Sequence, residues 1–82
     1  MTGAEIAARR ERCGLTQAQM ADYLGIGRTT VWRLETGTES VKRPIEVTVQ
    51  TMDIGNPSFE EWIERQPIRA KRAIRLRQQR LK

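Results

Sequence analysis

Arg28, Thr29, Trp32 and Arg33 are the side chains of this 82-residue chain best suited to grip another molecule. With Val31 and Leu34 turned inward on a helix, these four fall on or near its opposite face, toward its N-terminal part. A guanidinium presents a planar fork of donors that can bond O6 and N7 of guanine together, which is worth roughly 1–3 kcal/mol of discrimination; a lysine is less directional. Thr29 can reach a base edge or a thymine methyl. Trp32 either packs on sugars and thymine methyls or covers the edge of the domain. For the arginines, the alternative is a solvated polar face.

The residues around them must hold that helix in place. In the run from Gln17 to Thr36, Met20, Ala21 and Leu24 line one face of a first helix, Gly25 permits the left-handed turn that stops it, and Ile26, Val31 and Leu34 supply the facing surface of a second. Ala21 is informative because it is small: a bulky side chain on the contact line of two short crossing helices would push them apart. The pattern is a helix-turn-helix signature, and it implies DNA binding.

Other helix starts can be read from capping boxes. Thr2 with Glu5, Thr16 with Gln19 and Ser58 with Glu61 each place a hydroxyl three residues before an acid or amide, predicting three helix N-termini. The first helix runs from about Gly3 to Cys13, with Gly14 ending it; Cys13 is then a small core residue or, alternatively, a redox switch. Pro44 suits a first helical turn. Residues 45 to 51 alternate β-branched and polar side chains as a strand would, yet Ile45, Val49 and Met52 also fall at helical spacing, so a helix from Pro44 to about Met52 competes with a short edge strand. Asp53 to Pro57 reads as a turn, and Phe59, Trp62 and Ile63 follow on an amphipathic helix. The expected fold is all-α, a compact bundle of about five short helices with a central helix-turn-helix over residues 1–66, followed by a basic tail over 67–82.

Charge divides the chain at the same place. Residues 1–66 hold eight Lys or Arg against ten Asp or Glu, whereas Arg69, Lys71, Arg72, Arg75, Arg77, Arg80 and Lys82 stand in the tail with no acid. So dense a basic stretch is drawn to phosphate or acidic surfaces, and Arg69, Lys71, Arg72 and Arg75 are candidates for non-specific DNA contact. Ile68, Ala70, Ala73, Ile74, Leu76 and Leu81 give the tail only a ragged apolar face, consistent with a helix or with disorder until bound. With no His and one Cys, the chain cannot assemble a four-ligand zinc site or an internal disulfide, and no cofactor is expected. Glu60, Glu61 and the scattered serines have no partnered base, so no enzyme is expected. No apolar run approaches the roughly 18 residues of a membrane span and no secretory signal opens the chain, which predicts a cytoplasmic protein.

The run Leu15-Thr16-Gln17-Ala18-Gln19-Met20-Ala21, together with Leu34-Glu35-Thr36-Gly37, resembles the Cro and phage-repressor class of helix-turn-helix proteins (XRE-like, lambda-repressor-like) over about residues 3–54. The resemblance implies that Gln17 bonds a backbone phosphate, with Thr16 and Thr30 as further backbone contacts. It also implies that Arg10 on the first helix pairs with Glu35 near the end of the second motif helix. Lys42 and Arg43 resemble a phosphate-contacting loop, although this loop is extended and they come slightly later. Similar proteins bind as symmetric dimers to inverted repeats, so a homodimer is implied, with Ile45, Val49, Met52, Phe59, Trp62 and Ile63 as candidates for its surface or for the core. The implied function is that of a prokaryotic or phage transcriptional regulator, a repressor or autorepressor on double-stranded DNA. The alternative is an antitoxin-like interaction protein whose basic tail binds a protein partner or RNA.

Overall fold

Thr2 and Thr16 each start a helix in the computed structural model, which describes residues 1–80. Their side chains accept from the amides of Glu5 and Gln19, and the Glu5 and Gln19 side chains accept in turn from the amides of Thr2 and Thr16, so both capping boxes are closed. These start α1 (Gly3–Arg12) and α2 (Gln17–Leu24); α3 (Arg28–Thr36), α4 (Arg43–Thr51), α5 (Pro57–Glu64) and α6 (Ile68–Arg80) follow. Five short helices thus precede the tail, and the tail is a sixth. Leu81 and Lys82 lie outside the described residues.

The third box does not form. Asn56 caps α5 instead, its side chain accepting from the Ser58 amide, and Pro57 occupies the first turn, where its missing N–H is harmless and its fixed φ is already helical. Ser58 is therefore inside the helix. Over residues 45–51 the helix prevails over the strand because a single face has something to bury against: Val49 and Met52 are fully buried and Ile45 half-buried, while Val47 points outward, 45% exposed. Thr48 and Thr51 donate their hydroxyls back to the carbonyls of Pro44 and Thr48, bonds that an extended strand cannot make.

Gly25 adopts φ +71° and turns the chain between α2 and α3, a conformation that a side chain would strain although the space around it is open. Met20, Ala21, Val31 and Leu34 interlock across that turn, and α3 packs on both α1 and α2. The core is one cluster that also takes in Ile6, Cys13, Leu15, Val49, Met52, Phe59, Ile63 and Ile74. Tyr23 stands edge-on to Phe59 and to Trp62, with ring centroids 5.5 Å apart in both pairs, joining α2 to α5.

Cys13 belongs to this core. Its thiol is fully buried and donates to the Met52 carbonyl at 3.2 Å. Burial pushes its pKa up to about 11, outweighing the opposing pull of Arg12 and Arg9, so the thiolate a redox switch requires is suppressed.

α6 is docked along the bundle. Ile74 is fully buried, and Gln78 donates to the Cys13 carbonyl at 2.9 Å while itself only 6% exposed. Beside it Arg77 donates to the Gly14 carbonyl at 2.9 Å and to the Gln19 side-chain carbonyl at 3.2 Å. Gly14 makes the approach feasible: its φ is +77°, and a Cβ there would stand 2.6 Å from the Ile74 carbonyl oxygen. The Cα radius of gyration, 12.0 Å, matches the value of about 12 Å for a folded chain of this length.

Candidate nucleic-acid interface

α3 is anchored by Val31 and Leu34, which are 0% and 1% exposed, and this orientation turns Arg28, Thr29, Trp32 and Arg33 to solvent. Trp32 is 52% exposed, a large apolar side chain left uncovered. Gln17, Arg28, Thr29 and Trp32 together line a shallow notch of about 420 Å³ where the start of α2 meets the front of α3. Arg33 lies on the same outward side, one residue past Trp32. Thr30 is half-buried, and Thr16 is exposed at the start of α2 with its hydroxyl oxygen already accepting from Gln19.

A polar cluster fixes the two helices relative to α1. Arg10 meets Glu35 through two parallel bonds, Nε to Oε2 at 2.7 Å and Nη2 to Oε1 at 3.0 Å, and also donates to the Leu15 carbonyl at 3.1 Å. These charge-assisted bonds raise the guanidinium pKa further and join α1, the corner after it and α3. Gln17 donates to Glu35 Oε1 at 3.2 Å, which engages one of its two amide hydrogens and orients the side chain at the rim of the notch. The close seating of α1 on α3 depends on Gly3, which the spacing of apolar residues does not single out: a Cβ there would overlap the carbonyl oxygens of Leu34 and Glu35.

Other residues singled out by the sequence lie elsewhere. Lys42 precedes α4 and Arg43 begins it; both are exposed, and Arg43 forms a 3.5 Å pair with Glu46. In α6, Lys71 pairs with Glu64 at 3.1 Å and Arg75 with Glu60 at 2.8 Å, so two of the four candidates for non-specific contact are spent on α5; Arg69 and Arg72 remain exposed. The Arg75 bond holds the Glu60 carboxyl below its usual pKa. Among the six residues expected at the dimer surface or in the core, Val49, Met52, Phe59 and Ile63 are fully buried within the chain and belong to its core, because a side chain already covered by its own fold cannot cover a partner. Ile45 and Trp62 are half-buried, and Trp62 donates its indole N–H to Asp22 at 3.0 Å.

Arg77 and Gln78 are docking residues that the apolar pattern of the tail does not disclose. Gln78 follows Ile74 by one helical turn, so a core-facing row is present in the sequence, but a polar residue occupies its second place and the apolar pattern breaks there. No helix among the described residues is long and apolar enough to cross a membrane, and no cluster of side chains among them has the makings of a metal site.

Comparison with curated proteins and with solved structures finds no match. A protein-family comparison does, pairing residues 2–49 with the helix-turn-helix domain. That span covers α1 to α3 and most of α4, including the Arg10–Glu35 pair and the notch beneath Gln17, and leaves α5 and α6 outside. With more than half its length matched, and with two crossing helices joined at Gly25, the chain belongs to the helix-turn-helix domain family, a family of Cro-type DNA-binding domains.

Proposed function

We propose that this chain is a sequence-specific transcriptional regulator that seats α3 in the major groove of an inverted-repeat operator as a homodimer and represses the gene beside it, its own included. The observation that carries the reading is the outward face of α3: Arg28, Thr29, Trp32 and Arg33 are exposed together, while Val31 and Leu34 turn the opposite face into the core. Arg28 and Arg33 are the guanine readers, Thr29 and Trp32 the contacts to methyls and sugars, and Gln17, Thr16, Thr30, Lys42 and Arg43 the backbone contacts. One motif gives a small footprint, which favours a symmetric pair. Val47 on α4 and Ile54 in the turn after it, 45% and 48% exposed, are apolar side chains available to that pairing, together with the half-buried Ile45 and Trp62. Such a regulator works in the cytoplasm of a prokaryotic or phage-infected cell.

Footprinting on DNA upstream of the chain's own gene, with an unrelated duplex as competitor at constant salt, tests the reading. A protected inverted repeat that survives competition is expected, and Arg33→Ala is expected to erase preference for it while leaving weak non-specific binding. Unchanged preference in Arg33→Ala would show that the reading face lies elsewhere.

A further inference from the structure

A second depression, of about 410 Å³, lies beside the start of α2, lined by Arg10, Glu11, Gly14, Leu15 and Thr16 and, from α6, by Arg77 and Arg80. Thr16 in this groove and Gln17 in the notch against α3 are consecutive residues, so the two depressions share the first turn of α2. The charges in the groove are not self-cancelling. Arg10 is taken up by Glu35, but Arg77 donates to neutral carbonyl groups and keeps its charge uncompensated. Among the described residues no carboxylate lies within ion-pair distance of Arg80, leaving two guanidiniums against the exposed carboxylate of Glu11, which stands 3.9 Å from Arg10. Arg77 and Gln78 also fix this end of α6 to the carbonyls of Gly14 and Cys13, so Arg80 is carried by a backbone anchored one turn earlier.

We infer that Arg80 is an accessory phosphate contact: the groove between α1, α2 and α6 receives the DNA backbone beyond the point where it meets Gln17, and α6 thereby widens the footprint of the two motif helices. The inference rests on the proposed DNA-binding function. An anionic backbone is the fitting occupant because it is a continuous row of charges, one per roughly 3.4 Å of strand, and a strand held at Gln17 brings further phosphates to the adjoining groove. The other basic residues of α6 do not share this placement, since Lys71 and Arg75 are held by Glu64 and Glu60 and neither Arg69 nor Arg72 lines this groove.

Because a phosphate contact is blind to sequence, the test needs only a duplex of arbitrary sequence and the full chain. Binding is measured across a salt series for the unaltered protein and for Arg80→Ala, Arg80→Glu, Arg80→Lys and Arg12→Ala; Arg12 lines the other side of α1, with Met1 and Glu5. Loss of one phosphate contact lowers the slope of log K against log salt by about 0.9 and weakens binding about eightfold at 0.1 M salt. That loss is expected in Arg80→Ala, a larger one in Arg80→Glu, and neither in Arg80→Lys or Arg12→Ala. A slope in Arg80→Ala equal to that of the unaltered protein, or a drop matched by Arg12→Ala, overturns the inference. If in addition Arg33→Ala still erases operator preference, DNA binding stands and only the role of Arg80 falls; if the unaltered protein binds no duplex, both readings fall.

Discussion

Helices α2 and α3 are held together by Met20, Ala21, Val31 and Leu34, apolar neighbours in sequence, whereas α6 docks with one apolar side chain, Ile74, and then with Arg77 and Gln78 on carbonyl groups 63 and 65 residues away. The first arrangement rests on burial, which tolerates small displacements because it has no direction. The second rests on hydrogen bonds that fail when their geometry is lost. The motif helices are therefore joined to each other mainly by apolar packing within the shared core, and α6 is a clasp whose position depends on where α1 ends.

The largest effect that would challenge this contrast lies in the motif's one polar joint. Arg10→Ala leaves the Glu35 carboxylate, 8% exposed, without its main partner and is expected to destabilise the fold by about 3–5 kcal/mol in urea titration. Replacing both residues, Arg10→Met with Glu35→Leu, should recover most of that loss; a single variant within 1 kcal/mol of the unaltered protein would mean that burial alone holds the motif. On the α6 side, Ile74→Ala is expected to lower stability by about 2–5 kcal/mol in one transition seen alike by circular dichroism and tryptophan fluorescence. A midpoint that stays where it was would make α6 an appendage. Removing everything from Pro67 onward is no substitute for this variant, since it strips Ile74 from the core along with the charge.

The smallest effect concerns acid. Arg75 lowers the Glu60 pKa from its usual 4.5, so the pair's contribution is fully present above that value and is lost as pH falls through the lower folded-state value. The thermal midpoints of the unaltered protein and Arg75→Ala should differ near neutral pH and converge on acidification below about 4.5. A gap that persists in acid would assign the role of Arg75 to its bond with Gln78 instead.

What the sequence makes legible follows from the same contrast. The turn at Gly25, the small Ala21 and both threonine caps act within a few residues, so their types and spacing contain the constraint. Asn56 was equally local, but the Ser58–Glu61 spacing competed with it, and Pro57 decided the matter through its fixed φ. The docking of α6 was not legible because its contacts join distant segments through polar groups, and a row of Ile74 and Gln78 does not look like a core face. The charge of the tail is a partial guide for a related reason: net charge counts residues, whereas Lys71 and Arg75 have partners on α5 that only the fold brings near. For the candidate site, the outward face of α3 follows from helical spacing alone, while the groove at Arg80 depends on two helices at opposite ends of the chain.

α3 keeps its two duties on separate sides. Val31 and Leu34, with the Arg10–Glu35 pair, attach it to the rest of the bundle, while Arg28, Thr29 and Arg33 point away. Exchanging residues on that outer side leaves the packing intact, with effects on stability of the order of 0.5 kcal/mol. On the proposed function, target preference in this scaffold can be altered one exposed position at a time, without touching the residues that hold α3 in place.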